Sequence, residues 1–183
     1  MMTQYSDQEI IKLCRDSHTR ERGFRILLSQ YKERIYWYIR RILFDHEDAN
    51  DVTQEVFVKV WRSLDSFRGD SKLYSWMYRI ATNESLNFIR KQKKRKNDIS
   101  IDNVDFYLLS NGQDNLLSGD EIERKLIAAL VQLPEKQRLV FNMKYFENLK
   151  YREMAEILNL TEGSLKASYH YAVKKIENIL KSD

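Results

Sequence analysis

If the segment after Gly69 is helical, Trp76, Asn83, Asn87, Arg90 and Lys94 fall on one stripe: a flat ring, two amides and two cations at spacings of 7, 4, 3 and 4. That set suits an unpaired nucleic-acid strand, because every base offers a π-face and every nucleotide a phosphate. An amphipathic helix with a solvated polar face has the same pattern, so these residues alone leave both readings open. A second set runs from Asp45 to Glu55, which hold five acids and no Lys or Arg. Acids in a first turn are favoured by the helix dipole, which accounts for Asp48 and Asp51. It does not account for Asp48, Asp51 and Glu55 sharing a face inside an otherwise basic segment. That face is either a docking surface for a basic protein or simply solvated. Catalysis finds no such support. The acids have no histidine partner, no glycine-rich phosphate loop is present, and His18, His46 and His170 are too scattered for a metal site.

The elements that must position these sets are all helical. Asp7 to Cys14 is predicted as a short helix, and Phe24, Leu27, Leu28, Tyr31, Ile35, Tyr38, Ile39 and Ile42 give a longer core-facing one. Ala49, Val52, Val56, Val60 and Leu64 form the buried stripe behind the acidic face. The loop Phe67 to Lys72 has Gly69 for a positive φ and Asp70 or Ser71 as N-cap for the next helix, whose apolar stripe is Leu73, Met77, Ile80, Ala81 and Phe88. Such a loop presents N–H groups and short polar side chains to a phosphate or a flipped base.

Residues 98–119 form a polar connector that still holds Phe106, Tyr107, Leu108 and Leu109, so it either orders on a partner or stays disordered. From Asp120 three helices follow: one with Leu126, Leu130 and Leu133 inward, one with Pro134 as its first residue, and one from Tyr151 to Leu158. A turn at Asn159 and Leu160, with Thr161 as N-cap, leads into a longer helix burying Leu165, Ala172, Ile176 and Ile179. This is a helix-turn-helix pattern. Its last helix would expose Lys166, Ala167, His170, Tyr171 and Lys174 near the end that enters a major groove.

The expected class is therefore all-α, with two small helical domains, 1–97 and 120–183, joined by an acidic linker, 98–119. One proline and five glycines in 183 residues agree with it. The net charge of +4 conceals strong segregation. Residues 1–97 hold 20 basic against 13 acidic side chains, 98–123 hold no basic against 7 acidic, and 124–183 hold 11 against 7. Cys14 is the single cysteine, so no internal disulfide forms and a reducing cytoplasm is expected. The first residues lack a basic stretch followed by an apolar core, so neither secretion nor membrane insertion is expected.

Three blocks, in this order, resemble the bacterial sigma-70 family of RNA polymerase sigma factors, in its small two-domain extracytoplasmic-function (ECF) group: DANDVTQEVFVKVWRSL, FRGDSKLYSWMYRIATNESLNFIRK and LPEKQRLVFNMKYFENLKYREMAEILNLTEGSLKASYHYAVKKI. The resemblance implies a transcription initiation factor without catalysis or cofactor, whose partners are core RNA polymerase, promoter DNA and an anti-sigma factor. It implies core binding by Asp48, Asp51, Gln54, Glu55 and Phe57. It implies handling of the melted minus-ten strand by Phe67, Arg68, Asp70, Ser71, Lys72, Trp76, Asn83, Asn87 and Arg90. It implies reading of the minus-thirty-five duplex by Thr161, Ser164, Lys166, Ala167, Ser168, His170, Tyr171 and Lys174. The group often has Gly-Thr-Val-Lys-Ser-Arg where this chain has Gly163 to Ala167 and Ser168, and often an arginine at Tyr171, so fewer phosphate contacts are expected. An autonomous helix-turn-helix regulator is the competing reading, but no heptad for a dimer seam is visible.

Overall fold

The computed structural model describes residues 5–96 and 121–181, and among them eight α-helices, one 3-10 turn and no strand. The chain divides into two compact units, residues 1–43 with 47–90 and residues 44–46 with 91–183. The expected linker, 98–119, lies outside the described residues.

The first unit begins with α1, Asp7–Arg15, which Ser6 caps reciprocally: Glu9 N–H donates to Ser6 Oγ at 3.3 Å and Ser6 N–H to Glu9 Oε2 at 2.7 Å. This helix lies against α2, Arg20–Leu43, and Gly23 sets their separation. A Cβ there would stand 2.8 Å from the Cys14 backbone nitrogen and from Leu13 Cβ. Next come α3, His46–Ser63, the 3-10 turn Leu64–Ser66, and α4, Leu73–Lys96. The expected stripes are inside for the most part, with Phe24, Leu28 and Tyr31 of α2 only half-buried. Ile10, Leu27, Ile35, Tyr38, Ile39, Ala49, Val52, Val56, Val60, Met77 and Ala81 are all fully buried, while Ile80 and Phe88 are only half-buried. Ser85 Oγ donates to the Ala81 carbonyl at 2.8 Å and Thr53 Oγ1 to the Ala49 carbonyl at 2.6 Å, whereas the buried Ser75 Oγ has no hydrogen-bond partner among the described residues. Thr82 Oγ1 donates to the Tyr78 carbonyl at 2.7 Å, which uses its only proton, so the 2.8 Å contact with Tyr38 Oη has the tyrosine as donor.

The second unit holds α5, Glu121–Val131, α6, Glu135–Tyr145, α7, Tyr151–Leu158, and α8, Glu162–Lys181. Ala129, Leu130, Leu133, Phe141, Ala172 and Ile176 meet in its core, with Leu126 and Ile179 packed at the edge and only partly buried. Pro134 stands one position earlier than expected. At φ −53° and ψ 142° it flanks α6 as N-cap, and its carbonyl accepts from Arg138 N–H at 3.0 Å. Asn159 takes the left-handed conformation, φ 53° and ψ 49°, that ends α7, and Leu160 N–H reaches back to the Ala155 carbonyl at 3.2 Å. Thr161 Oγ1 then accepts from Ser164 N–H at 3.2 Å and starts α8. The turn and cap expected from the sequence are those found.

Candidate nucleic-acid interface

The 3-10 turn after α3 delivers the chain to Phe67, whose N–H donates to the Leu64 carbonyl at 3.2 Å. Gly69 sits at φ +84° with nothing near its missing Cβ, so backbone conformation rather than crowding calls for glycine. Helix α4 opens at Leu73, and the Lys72 carbonyl accepts from Trp76 N–H at 3.1 Å. Lys72 is thus the flanking residue, which corrects the expected cap at Asp70 or Ser71. Arg68, Asp70 and Lys72 are exposed, and Ser71 is half-buried.

Two aromatic residues expected at this surface are largely inside it. Phe67 is 4% exposed, and its ring lies 4.9 Å from that of Trp76, itself half-buried. The pair underpins the loop instead of standing free of it. The polar part of the stripe does face solvent: Asn83, Asn87, Arg90 and Lys94 are all exposed, with Arg90 Nη1 3.4 Å from Asn87 Oδ1.

Beside Asn83 a cleft of about 360 Å³ opens between α3 and α4, lined by Lys59, Arg62, Ser63, Ile80, Asn83 and Glu84. Lys59 Nζ stands 2.6 Å from the nearly buried carboxylate of Glu84, so the cleft holds a donor and an acceptor already in register. Lys59, Arg62 and Glu84 were missed in the sequence. The i, i+3 spacing of Lys59 and Arg62 marks a shared face, but only the fold brings Glu84 opposite.

Toward the N-terminal end of α3, on the stripe that Lys59 and Arg62 continue, Asp51, Gln54 and Glu55 are exposed, whereas Asp48 is half-buried and not free. Phe57 is 6% exposed and belongs to the core, a correction to its expected place on the docking face. Its neighbour Val58, 47% exposed, lies one turn beyond Gln54 and Glu55 and adds an apolar spot to the acidic face.

In the second unit, α8 exposes Lys166, Ala167, His170, Tyr171 and Lys174, while Ser164 and Ser168 are half-buried and Thr161 is exposed as the cap. Lys136 Nζ donates to Ser164 Oγ at 3.2 Å. Lys144 and Lys166 stand 5.3 and 5.7 Å from the Tyr151 ring centroid. Burial, with Tyr169 adding, pushes the Tyr151 phenol up. Lys136, Lys144 and Tyr151 add donors beside the exposed row that α8's own spacing could not reveal.

Residues 27–95 match the family Sigma-70 region 2, and residues 123–176 match Sigma-70, region 4. The chain is 31% identical over 188 residues to the RNA polymerase sigma-H factor of Pseudomonas aeruginosa, covering 98% of this chain and 96% of that one. It is 30% identical to the ECF RNA polymerase sigma-E factor of Haemophilus influenzae, with 97% of each covered. Among solved structures it is similar to the sigma factor RpoE in complex with the anti-sigma factor NepR from Bartonella quintana, with a TM-score of 0.73, 23% identity and coverage of 87% and 98%. It is likewise similar to CnrH in complex with the cytosolic domain of CnrY, with a TM-score of 0.72, 20% identity and coverage of 97% and 98%. At those identities the structures speak to the fold. A two-unit helical protein with a helix-turn-helix in its second unit is thereby placed: the chain belongs to the sigma-70 family, among its ECF RNA polymerase sigma factors. It is a transcription initiation factor and not an enzyme. No helix among the described residues is long and apolar enough to cross a membrane.

Proposed function

We propose that the three surfaces divide the work of promoter opening in the cytoplasm: the acidic face of α3 docks on core polymerase, the loop 67–72 with the cleft beside Asn83 takes an unpaired base, and α8 reads the upstream duplex. The observation that carries this reading is the cleft. It lies where α3 gives way to the turn leading into the loop, it has room for a nucleobase, and it offers Ile80 as an apolar wall with Asn83, Glu84 and Lys59 as polar partners. A flipped base needs that combination, hydrogen bonds to its pairing edge and an apolar surface beside its plane.

The α3 face supports its part through composition. Acids that repel DNA, flanking an exposed valine, suit a partner that is basic and partly apolar. A protein antagonist belongs to the same proposal, since relatives of the same fold were solved with an anti-sigma factor and with the cytosolic domain of another protein. The domain division 1–97, 98–119 and 120–183 follows these tasks.

Asn83→Ala tests the reading. Holoenzyme with this variant should keep wild-type core association but lose roughly 1–3 kcal/mol of hold on the opened strand, the cost of removing a buried hydrogen-bond partner. Permanganate reactivity of the melted thymines should fall accordingly. An unchanged footprint would remove Asn83 and the cleft from strand capture.

A further inference from the structure

Two arginines from the N-terminal helices converge on the backbone just ahead of the loop. Arg15, the last residue of α1, donates from Nη2 to the Phe67 carbonyl at 2.8 Å. Arg20, the first residue of α2, places Nη1 2.8 Å from each carboxylate oxygen of Asp65 and donates from Nη2 to the Trp61 carbonyl at 3.1 Å. Its guanidinium also lies 4.7 Å from the Trp61 ring centroid, and that ring packs edge-on against Phe24 at 4.9 Å. Four contacts thus fix the end of α3, the 3-10 turn and the first loop peptide. On the other side, the Phe67 ring is held by Trp76.

We propose that Arg15 and Arg20 are positioning residues for base capture: they touch no DNA, and act by fixing the direction in which the chain leaves Phe67 toward Gly69. The inference rests on the reading that the loop and the neighbouring cleft take an unpaired base. The ion pair itself adds little to stability, since the Asp65 side chain is 63% exposed, while the part-buried bonds to the Trp61 and Phe67 carbonyls satisfy backbone groups at the end of α3 and the start of the loop. Directionality is what the contacts supply. A guanidinium gripping a carboxylate through one nitrogen and a carbonyl through another has little freedom to turn, whereas an ammonium would act as a point charge. A loop that must meet a flipped base gains affinity from being held ready, because the ordering cost is then met before the base arrives.

The test uses full-length chain assembled with separately purified core polymerase, and fork-junction DNA already opened over the minus-ten strand, so that melting is bypassed. Each exposed base is replaced in turn by an abasic site. Wild-type holoenzyme should lose about tenfold in affinity at one position, the size expected for one stacked base. In Arg15→Met and Arg20→Met the intact fork should bind as weakly as that abasic fork does with wild type, and the same abasic replacement should then cost less than about twofold, the non-additivity of groups acting as a unit. Core association should stay at the wild-type value, with the forks compared well below the thermal midpoint of each variant. Should Arg20→Met fail to fold, Arg15→Met and Asp65→Asn make the same comparison. If intact and abasic forks weaken together while the abasic penalty keeps its full size, the arginines merely attract phosphates, and the proposal is overturned. If wild type shows no sensitive position, the base-capture reading itself fails, which is a different result.

Discussion

A methyl group at position 23 has nowhere to go, because it would stand 2.8 Å from the Cys14 backbone nitrogen and from Leu13 Cβ. Alanine normally gains about 1 kcal/mol over glycine inside a helix. Here the gain is outweighed, since a backbone atom cannot swing aside and α1 must lift off α2, an overpacking cost of roughly 1–3 kcal/mol. Gly23→Ala is therefore expected to lower the urea midpoint with the denaturant slope unchanged. A midpoint at or above wild type would mean that α1 yields freely. The same interface carries Arg15 toward the loop, so Gly23→Ala should also weaken strand binding.

At the scale of elements, α3 has one exposed stripe that is acidic toward its N-terminus and basic toward its C-terminus, and the acidic part makes a sharp expectation. Asp51 and Glu55 are exposed, unlike Asp48, so reversing these two separates docking from folding. Asp51→Lys with Glu55→Lys should change stability by less than ~1 kcal/mol, as exposed charges do. It should nonetheless abolish association with core polymerase in a pull-down, because close charge pairs across an interface couple by a few kcal/mol. Retention of core binding would reassign the face to solvent. Much of this element was legible: Ala49, Val52, Val56 and Val60 recur at helical spacing, and that spacing names the buried row. Phe57 was misplaced because Thr53 and Phe57 extend the buried stripe by a second row, whose width depends on what packs against it. Phe67 was misplaced for a related reason. A loop residue has no periodicity, so nothing in its neighbours signals that its ring turns inward onto Trp76. The turn at Asn159 and the cap at Thr161 were legible because their chemistry is local. The cleft was not, since it needs two helices brought together.

For the molecule as a whole, charge is segregated along the chain, with 11 basic against 7 acidic side chains over residues 124–183. Duplex binding by that part should follow counterion release, falling linearly in log affinity against log salt. Lys166→Ala should weaken all promoter sequences alike and reduce the salt slope by about one, while His170→Ala should alter preference at one or two base pairs with the slope unchanged. Affinity measured on a promoter library at several salt concentrations separates the two. A Lys166 variant with an altered consensus would make that residue a reader of bases.

The buried hydroxyl chain from Tyr38 through Thr82 to the Tyr78 carbonyl has a mechanical meaning for such a machine. Thr82 keeps its bond to the Tyr78 carbonyl wherever α4 goes, since both lie on that helix, so sliding α4 along α2 by a single residue would break the Tyr38–Thr82 contact, worth about 0.5–1.5 kcal/mol. If an opened strand pulls on Asn83, Asn87 and Arg90 as proposed, that contact acts as a catch between the two helices and fixes the register in which α4 presents those three side chains.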